Sequence, residues 1–367
     1  MRPRGEHAIR LLQGAIGKDA RFAIAYAALG EAYWAQYRET NDPAWTVKAQ
    51  AANLDALRID PAQPEVHIAL AVMYEGVGRP AEATDELRQA LALQPRSDNA
   101  HLVLSRIRAS KGDWDGAIAE AKAALELRPT YWRNHAQLGD ACMRAGRLEE
   151  AIAAYRRLVE LQPDSARAYQ RLGTVLQAAG RNDEALESYE KAKAINPTWG
   201  TYSNIGTLYY WRGDTAQAID AYQRAIALAP KNPDLYANLG DALQKSGQPE
   251  RAAENYRRAV QELTALLAIN KDDPINLAAL AMSEAKLGNR TAAATAIRRA
   301  IALSPKDGEV LYTQAVVHAL NGETAAACTA ITDALAHGRS AEETRRSDEL
   351  KTVKGCPAYD AIMAPAK

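Results

Sequence analysis

The thirty residues from Ala168 to Pro197, AYQRLGTVLQAAGRNDEALESYEKAKAINP, set a pattern that most of the chain repeats. Tyr169, Leu172, Val175 and Leu176 recur at steps of three and four, which predicts an amphipathic helix. Gly180 predicts its end, because helices commonly close on a left-handed residue and glycine has no Cβ to clash there. Asp183 and Glu184 then open a second helix, where carboxylates favour the positive end of the helix dipole. Ala185, Leu186, Tyr189, Ala192 and Ile195 form its apolar stripe, and Pro197 stops it. Gly173 and Ala185 are expected to face each other and bring the two backbones to the short end of roughly 8–10 Å. Such a pair keeps one apolar flank and must stack on a copy of itself.

Copies are present in register. The stop position falls at Pro61, Pro95, Pro129, Pro163, Pro197, Pro230 and Pro305, and Ala20 and Lys271 fill the same slot. The small residue of the first helix recurs as Gly30, Ala71, Ser105, Gly139, Gly173, Gly206, Gly240, Ala281 and Ala315. The turn glycine recurs as Gly78, Gly112, Gly146, Gly180, Gly213, Gly247, Gly288 and Gly322. From Pro61 to Pro197 each interval is 34 residues. That period, with the small-residue pattern and the closing proline, resembles the tetratricopeptide repeat. The resemblance implies an all-α solenoid, a right-handed superhelix of antiparallel helix pairs whose first helices line a concave groove. The expected organisation is a half-repeat helix over residues 1–19, nine repeats over 20–337 and a capping tail over 338–367. Seven-residue insertions fall in the first and seventh repeats, where the interval rises to 41.

Met1–Gly5 reads as a frayed start. The lone helix of His7–Gly17 reads either as a cap or as the remnant of a longer array. The tail, with two short helices near Glu342–Leu350 and Pro357–Met363, is expected to cover the apolar end of the last repeat, since terminal repeats need a polar outer face.

Charge narrows the partners. Lys and Arg total 45, as do Asp and Glu, so no global field favours nucleic acid or an anionic membrane. No apolar run approaches the roughly 18 residues of a membrane span, and the N-terminus has no signal-like apolar stretch. These features predict a cytoplasmic protein with no membrane insertion. Cys142, Cys328 and Cys356 have no metal or redox spacing; Cys142 and Cys328 sit on apolar stripes and are expected as buried thiols. His67, His101 and His135 fall one period apart, but they occupy the slot held elsewhere by Tyr26, Tyr169, Tyr202 and Tyr236. They are expected to pack against their own second helices, not to bind a metal. Trp34, Tyr37 and Trp45 cluster in the extended first hairpin, as an exposed patch or as that hairpin's own packing.

The irregular segments carry a narrower resemblance. The stretch AYWAQYRETNDPAWTVKAQ, the strings YSNIGTLYY at 202–210 and YANLGDAL at 236–243, and the SDEL and CPAYDAIM strings of the tail are similar to arrays attached to bacterial serine/threonine protein kinases. Related arrays follow winged-helix regulators and cyclases. The kinase signature motifs are missing from this sequence, so what the resemblance implies is a sensory or regulatory portion, not catalysis.

No catalytic constellation and no cofactor motif emerges. The reading is a non-enzymatic scaffold that binds a protein or peptide segment; an RNA-reading helical repeat is the competing expectation. In arrays of this family the inward positions of first helices meet the partner. Mapped here, these are Arg106, Arg133, Arg144, Arg167 and Arg171 against Asp140, followed by Asn204, Tyr210, Asn238 and Asp241. The arginines favour an acidic segment. Glu31, Glu65 and Glu75 precede them, so the face changes sign along its length.

Overall fold

The structure, a computed structural model, describes residues 4–353 and 355–363. The expected frayed start lies at residues 1–3 outside the described residues, whereas Arg4 and Gly5 already belong to the first helix. The chain forms two compact units, Met1–Ser188 and Tyr189–Lys367.

Unit 1 begins with α1 (Arg4–Lys18), which packs on α2 (Ala23–Thr40). Helix pairs follow: α2 with α3 (Ala44–Ile59), α4 (Pro64–Gly76) with α5 (Pro80–Leu93), and α6 (Asp98–Ser110) with α7 (Trp114–Leu127). Next come α8 (Trp132–Arg144) with α9 (Leu148–Leu161), then α10 (Ala166–Ala178) and the first half of α11 (Asn182–Ile195). Unit 2 takes up the rest of α11 and continues with α12 (Trp199–Arg212) and α13 (Thr215–Leu228), α14 (Pro233–Lys245) and α15 (Pro249–Ile269). It closes with α16 (Pro274–Lys286) and α17 (Arg290–Leu303), α18 (Gly308–Leu320) and α19 (Thr324–Ala336), and the tail. This is an all-α solenoid of paired antiparallel helices. Within each unit a first helix touches its own second helix, the preceding second helix and the next first helix.

Local chemistry explains the punctuation. Gly180 has φ +75°, and the Arg181 N–H closes the turn on the Leu176 carbonyl at 2.8 Å. Two residues after the stop slot, Ser97, Ser165, Asn232, Asp273 and Asp307 cap first helices, each side chain accepting a backbone N–H. Each cap contributes about 1 kcal/mol.

The packing refines the expectation of small residue against small residue. Ser105 Oγ donates to the Ala117 carbonyl at 2.8 Å, so the two small positions do meet in that pair. At Gly30 the vacated space receives the Asn53 side chain, and at three later first-helix glycines it receives a ring from the second helix. A Cβ on Gly139 would collide with Tyr155 Cε1, one on Gly206 would lie 2.8 Å from Tyr222, and one on Gly240 2.5 Å from Tyr256. Where the first helix carries alanine, the matching residue is aliphatic: Ala71 with Leu87, Ala281 with Ile297, Ala315 with Ile331. Volume is conserved across the pair, as close-packed interiors require.

The other structural residues fall into place. His67 Nε2–H donates to the Pro61 carbonyl at 2.8 Å while Nδ1 faces Glu86 of α5; His135 reaches Pro129 at 2.7 Å, and Tyr236 reaches Pro230 at 2.9 Å. In these three repeats the slot residue, histidine or tyrosine, ties the start of its repeat, whereas His101 pairs with Glu120 of α7. Trp34 is 5% exposed, stacks on Tyr37 and lies over Gly76 of α4, whereas Trp45 packs against Tyr33. These rings are the packing of the long hairpin.

The tail comprises α20 (Ala341–Arg345), a 3-10 turn at Glu349–Thr352 and α21 (Pro357–Met363). Leu350 and Val353 are fully buried among Ala315, Val316, Ala327 and Ile331 of the last pair. Cys328 is corrected from a thiol to a half-cystine: it is bonded to Cys356, with Cα atoms 5.4 Å apart. No spacing rule reveals such a partner 28 residues away. Cys142 is the free, buried thiol expected, and burial pushes its pKa up.

Candidate functional site

The glycine–tyrosine exchange does more than fill space. Each ring carries its hydroxyl through to the face made by the first helices. Tyr155 Oη donates to Asp140 Oδ1 at 2.6 Å, and Tyr256 Oη donates to Asp241 Oδ1 at 2.7 Å. Each aspartate directly follows the glycine that admits the ring. A Gly-Asp step on a first helix and a tyrosine on its second helix thus fix one carboxylate on the face. Burial and the adjacent carboxylates push both tyrosines far above the usual phenol range, so their hydroxyls remain donors.

In unit 1, Arg171 of α10 pairs with Asp140 at 3.1 Å. Arg106 of α6 holds Glu75 of α4 with two bonds, 3.1 and 2.6 Å. The guanidinium of Arg133 lies 5.4 Å from the ring of Trp132. A cavity of about 390 Å³ opens between these groups, and Arg38, Arg106, Arg133, Arg167 and Arg171 all line it. Glu31 is exposed, and crowding by the surrounding face nevertheless pushes its carboxyl above the ordinary range, with Arg133 pulling it back. Four of the five arginines named from the sequence therefore converge. Arg144 is exposed and does not line the cavity. The repeat register does not reveal Arg38, which lies in the extension of the first hairpin. Trp132, 37% exposed, supplies an apolar wall.

In unit 2 the same kind of face is crossed by the chain's own tail. Lys286, its side chain only 10% exposed, pairs with Asp241 and with Glu349 of the tail, the latter at 2.9 Å. Asp348 accepts from Tyr210 Oη at 3.0 Å and pairs with Lys245 at 3.1 Å. Arg346 lies 4.4 Å over the Trp211 ring, and Arg339 lies 4.1 Å over Tyr312. Burial raises the Asp348 pKa, but bonds from Lys351, Lys245 and Tyr210 outweigh it and pull the group down to about 2. Burial likewise opposes ionisation of Glu349, and the Lys286 ammonium nevertheless holds it below its ordinary value. Cavities of about 320, 490 and 470 Å³ surround this crossing, and Asp241 and Glu349 line all three. Of the residues named from the sequence, Tyr210, Asn238 and Asp241 come together here, whereas Asn204 lines none of these cavities. Lys245 and Lys286 are absent from the residues named from the sequence. Each nevertheless stands fifteen residues after its stop slot (245 − 230 and 286 − 271), the register of Arg144 (144 − 129).

Among the described residues, no group of three or more His, Cys, Asp or Glu side chains could hold a metal ion. No described helix is long and apolar enough to cross a membrane.

Comparison with known proteins agrees with the fold. Family profiles described as tetratricopeptide repeat match residues 68–131 and 278–343, 108–176, 166–198 and 233–262, and one described as TPR repeat matches 206–247. No curated protein sequence matches the chain. A tetratricopeptide repeat protein from Parabacteroides merdae is 18% identical with a TM-score of 0.51, covering 70% of this chain and 98% of its own. The pilF protein of Pseudomonas aeruginosa is 20% identical with a TM-score of 0.49, covering 58% and 94%. The MamA protein of Desulfovibrio magneticus is 21% identical with a TM-score of 0.43, covering 46% and 96%. With repeat profiles running along the same helix pairs that the structure shows, the chain is a tetratricopeptide-repeat protein.

Proposed function

We propose that the protein is a non-enzymatic scaffold whose unit 1 holds an extended acidic segment of a protein partner against its first helices. The observation that carries this reading is the convergence of Arg106, Arg133, Arg167 and Arg171 on one cavity of about 390 Å³. Arg106 and Arg171 are each held by a carboxylate on that face, which orients them. Arg133 and Arg167 have no carboxylate within ion-pair distance among the described residues and are the groups a ligand carboxylate would meet. Guanidinium forks suit bidentate recognition of carboxylates, and Trp132 offers an apolar contact beside them. Attraction between exposed charges weakens as salt shortens the Debye length from about 10 Å at 0.1 M.

The test is binding of a labelled glutamate-rich peptide, by fluorescence anisotropy, to wild type and to Arg133→Glu/Arg167→Glu across a salt titration. The expected result is a tenfold or greater loss in the variant, and weakening with salt in wild type. Equal binding by both proteins at every salt concentration would overturn the reading. A single-stranded oligonucleotide that outcompetes the peptide would instead favour the RNA-reading alternative.

A further inference from the structure

Unit 2 carries a second built face, and the chain itself supplies the ligand. We propose that the first helices α12, α14, α16 and α18 form a binding site for a partner segment of the type Asp-Glu-aliphatic. Residues Asp348, Glu349 and Leu350 occupy that site in cis while the Cys328–Cys356 disulfide is closed. This site is separate from the arginine cavity of unit 1 and does not rest on its reading.

The face is shaped for two adjacent carboxylates and one apolar side chain. Lys245 and the Tyr210 hydroxyl take the first carboxylate at 3.1 and 3.0 Å. Lys286 takes the second at 2.9 Å. Leu350, fully buried, enters the apolar cluster of Ala315 and Val316. The receptor side also stands without the tail. Lys286 retains Asp241, and Asp241 is held by Tyr256, so removing Glu349 leaves no buried ammonium without a counter-ion. Cavities of about 490 and 470 Å³, both bordered by Glu349, leave room beside the two carboxylates.

The tail has the properties of a detachable occupant. Its helical pieces are five, four and seven residues long, far below the ~12–15 at which isolated helices become stable. Docking holds it, and segments of this kind open as local units. The backbone already joins the tail to α19, and the disulfide, by closing the loop from α19 to the start of α21, removes much of the chain entropy the tail would gain on undocking. A free peptide competes poorly against that. Disulfides persist in oxidising compartments and are rare where thiols are kept reduced, so the latch responds to redox conditions. A dithiol reductant opens it: one thiolate attacks Cys356 Sγ, the Sγ–Sγ bond breaks, and Cys328 leaves as a thiolate that takes a proton. The second thiolate of the reductant then displaces Cys356, which also ends protonated. Two electrons and two protons pass to the cysteines, and the reductant becomes a disulfide.

The experiment uses the full chain carrying Arg133→Glu/Arg167→Glu, so that unit 1 does not capture the probe. The probe is a fluorescent peptide of sequence Ser-Asp-Glu-Leu-Lys-Thr-Val, copied from residues 347–353, with Ser-Asn-Gln-Leu-Lys-Thr-Val as control. Dithiothreitol is expected to tighten binding of the acidic probe at least tenfold, with no gain for the control. Lys245→Glu is expected to abolish the gain. Equal binding in both redox states, with helical circular dichroism retained, would overturn the proposal. If reduction costs the helical signal, the deciding sample is the oxidised protein carrying Asp348→Asn/Glu349→Gln. That variant must bind the probe at least tenfold more tightly than the oxidised parent, and no gain there overturns the proposal. Loss of helical signal in both samples would make the tail an integral part of unit 2 and overturn it equally.

Discussion

Units 1 and 2 build their first-helix faces with one device and leave them in opposite states. In both, a glycine admits a tyrosine ring from the second helix, and the tyrosine hydroxyl fixes the aspartate that follows the glycine. In both, a basic residue from a later first helix pairs with that aspartate: Arg171 with Asp140, Lys286 with Asp241. The cationic groups then differ. Unit 1 gathers arginines around an opening that the described residues leave unfilled, whereas unit 2 presents lysines to the carboxylates of its own tail. A repeat scaffold thus conserves how a charged group is held while varying what the charge meets. Occupancy is decided by elements outside the repeat.

The largest expected effect comes from the feature that unit 1 lacks. Reducing Cys328–Cys356, or replacing Cys356→Ser, should lower the stability of unit 2 by about 3 kcal/mol, as loop-closing disulfides of this size typically do. Limited proteolysis in urea with mapping of the cleavage sites would check this. Equal loss in both units would break the comparison.

Next come the shared glycines. Gly139→Leu in unit 1 and Gly240→Leu in unit 2 should each cost about 2–3 kcal/mol, because the new side chain collides with a buried ring. Ala178→Leu, on an exposed position, should change stability by less than about 0.5 kcal/mol. Thermal melts would rank the three, and pairing Gly139→Leu with Tyr155→Leu should recover part of the loss.

How far the sequence reveals this difference depends on the range of the interactions. Helices, turns and stop positions follow from local patterns: apolar steps of three and four, a left-handed glycine such as Gly180, and a proline every 34 residues. The exchange of Gly139 against Tyr155 lies across a pair, and the sequence pattern alone shows only small residue against small residue. The convergence of Arg106, Arg133, Arg167 and Arg171 is legible because all occupy first-helix registers. Lys245 and Lys286 share the register of Arg144, and nothing in that register tells that Lys286 will meet Asp241 or that both lysines will meet carboxylates of the tail. The tail is different in kind. Nothing in its local pattern tells where Asp348 and Glu349 will dock, and the pairing of Cys328 with Cys356 depends on that docking.

The tyrosine hydroxyls give smaller effects. Tyr256→Phe should cost about 2 kcal/mol and Tyr155→Phe about 1 kcal/mol, since hydrogen bonds to charged groups contribute roughly 1.5–3 kcal/mol and exposure reduces that. Asp140 is the more exposed carboxylate, 37% against 26% for Asp241. Urea denaturation of each variant would test the order.

The tail also gives unit 2 a pH dependence of its own. Asp348 titrates at about 2 in the folded chain, against roughly 3.9 for an unfolded aspartate. Its contribution is therefore present in full above about pH 4 and is lost as pH falls through about 2. Nuclear magnetic resonance of the Asp348 carboxyl would read the midpoint directly, and a value near 4 would remove the ion pair with Lys245 from the account.

The most direct measurement is hydrogen–deuterium exchange along the oxidised full chain with and without a glutamate-rich peptide. The comparison predicts new protection in α6, α8 and α10 alone, with α12, α14 and α16 unchanged because the tail already covers them. In Asp348→Asn/Glu349→Gln, protection should extend to those unit 2 helices as well. Protection falling on both units of the oxidised wild type, or on neither, would contradict an open face in one unit and a self-occupied face in the other.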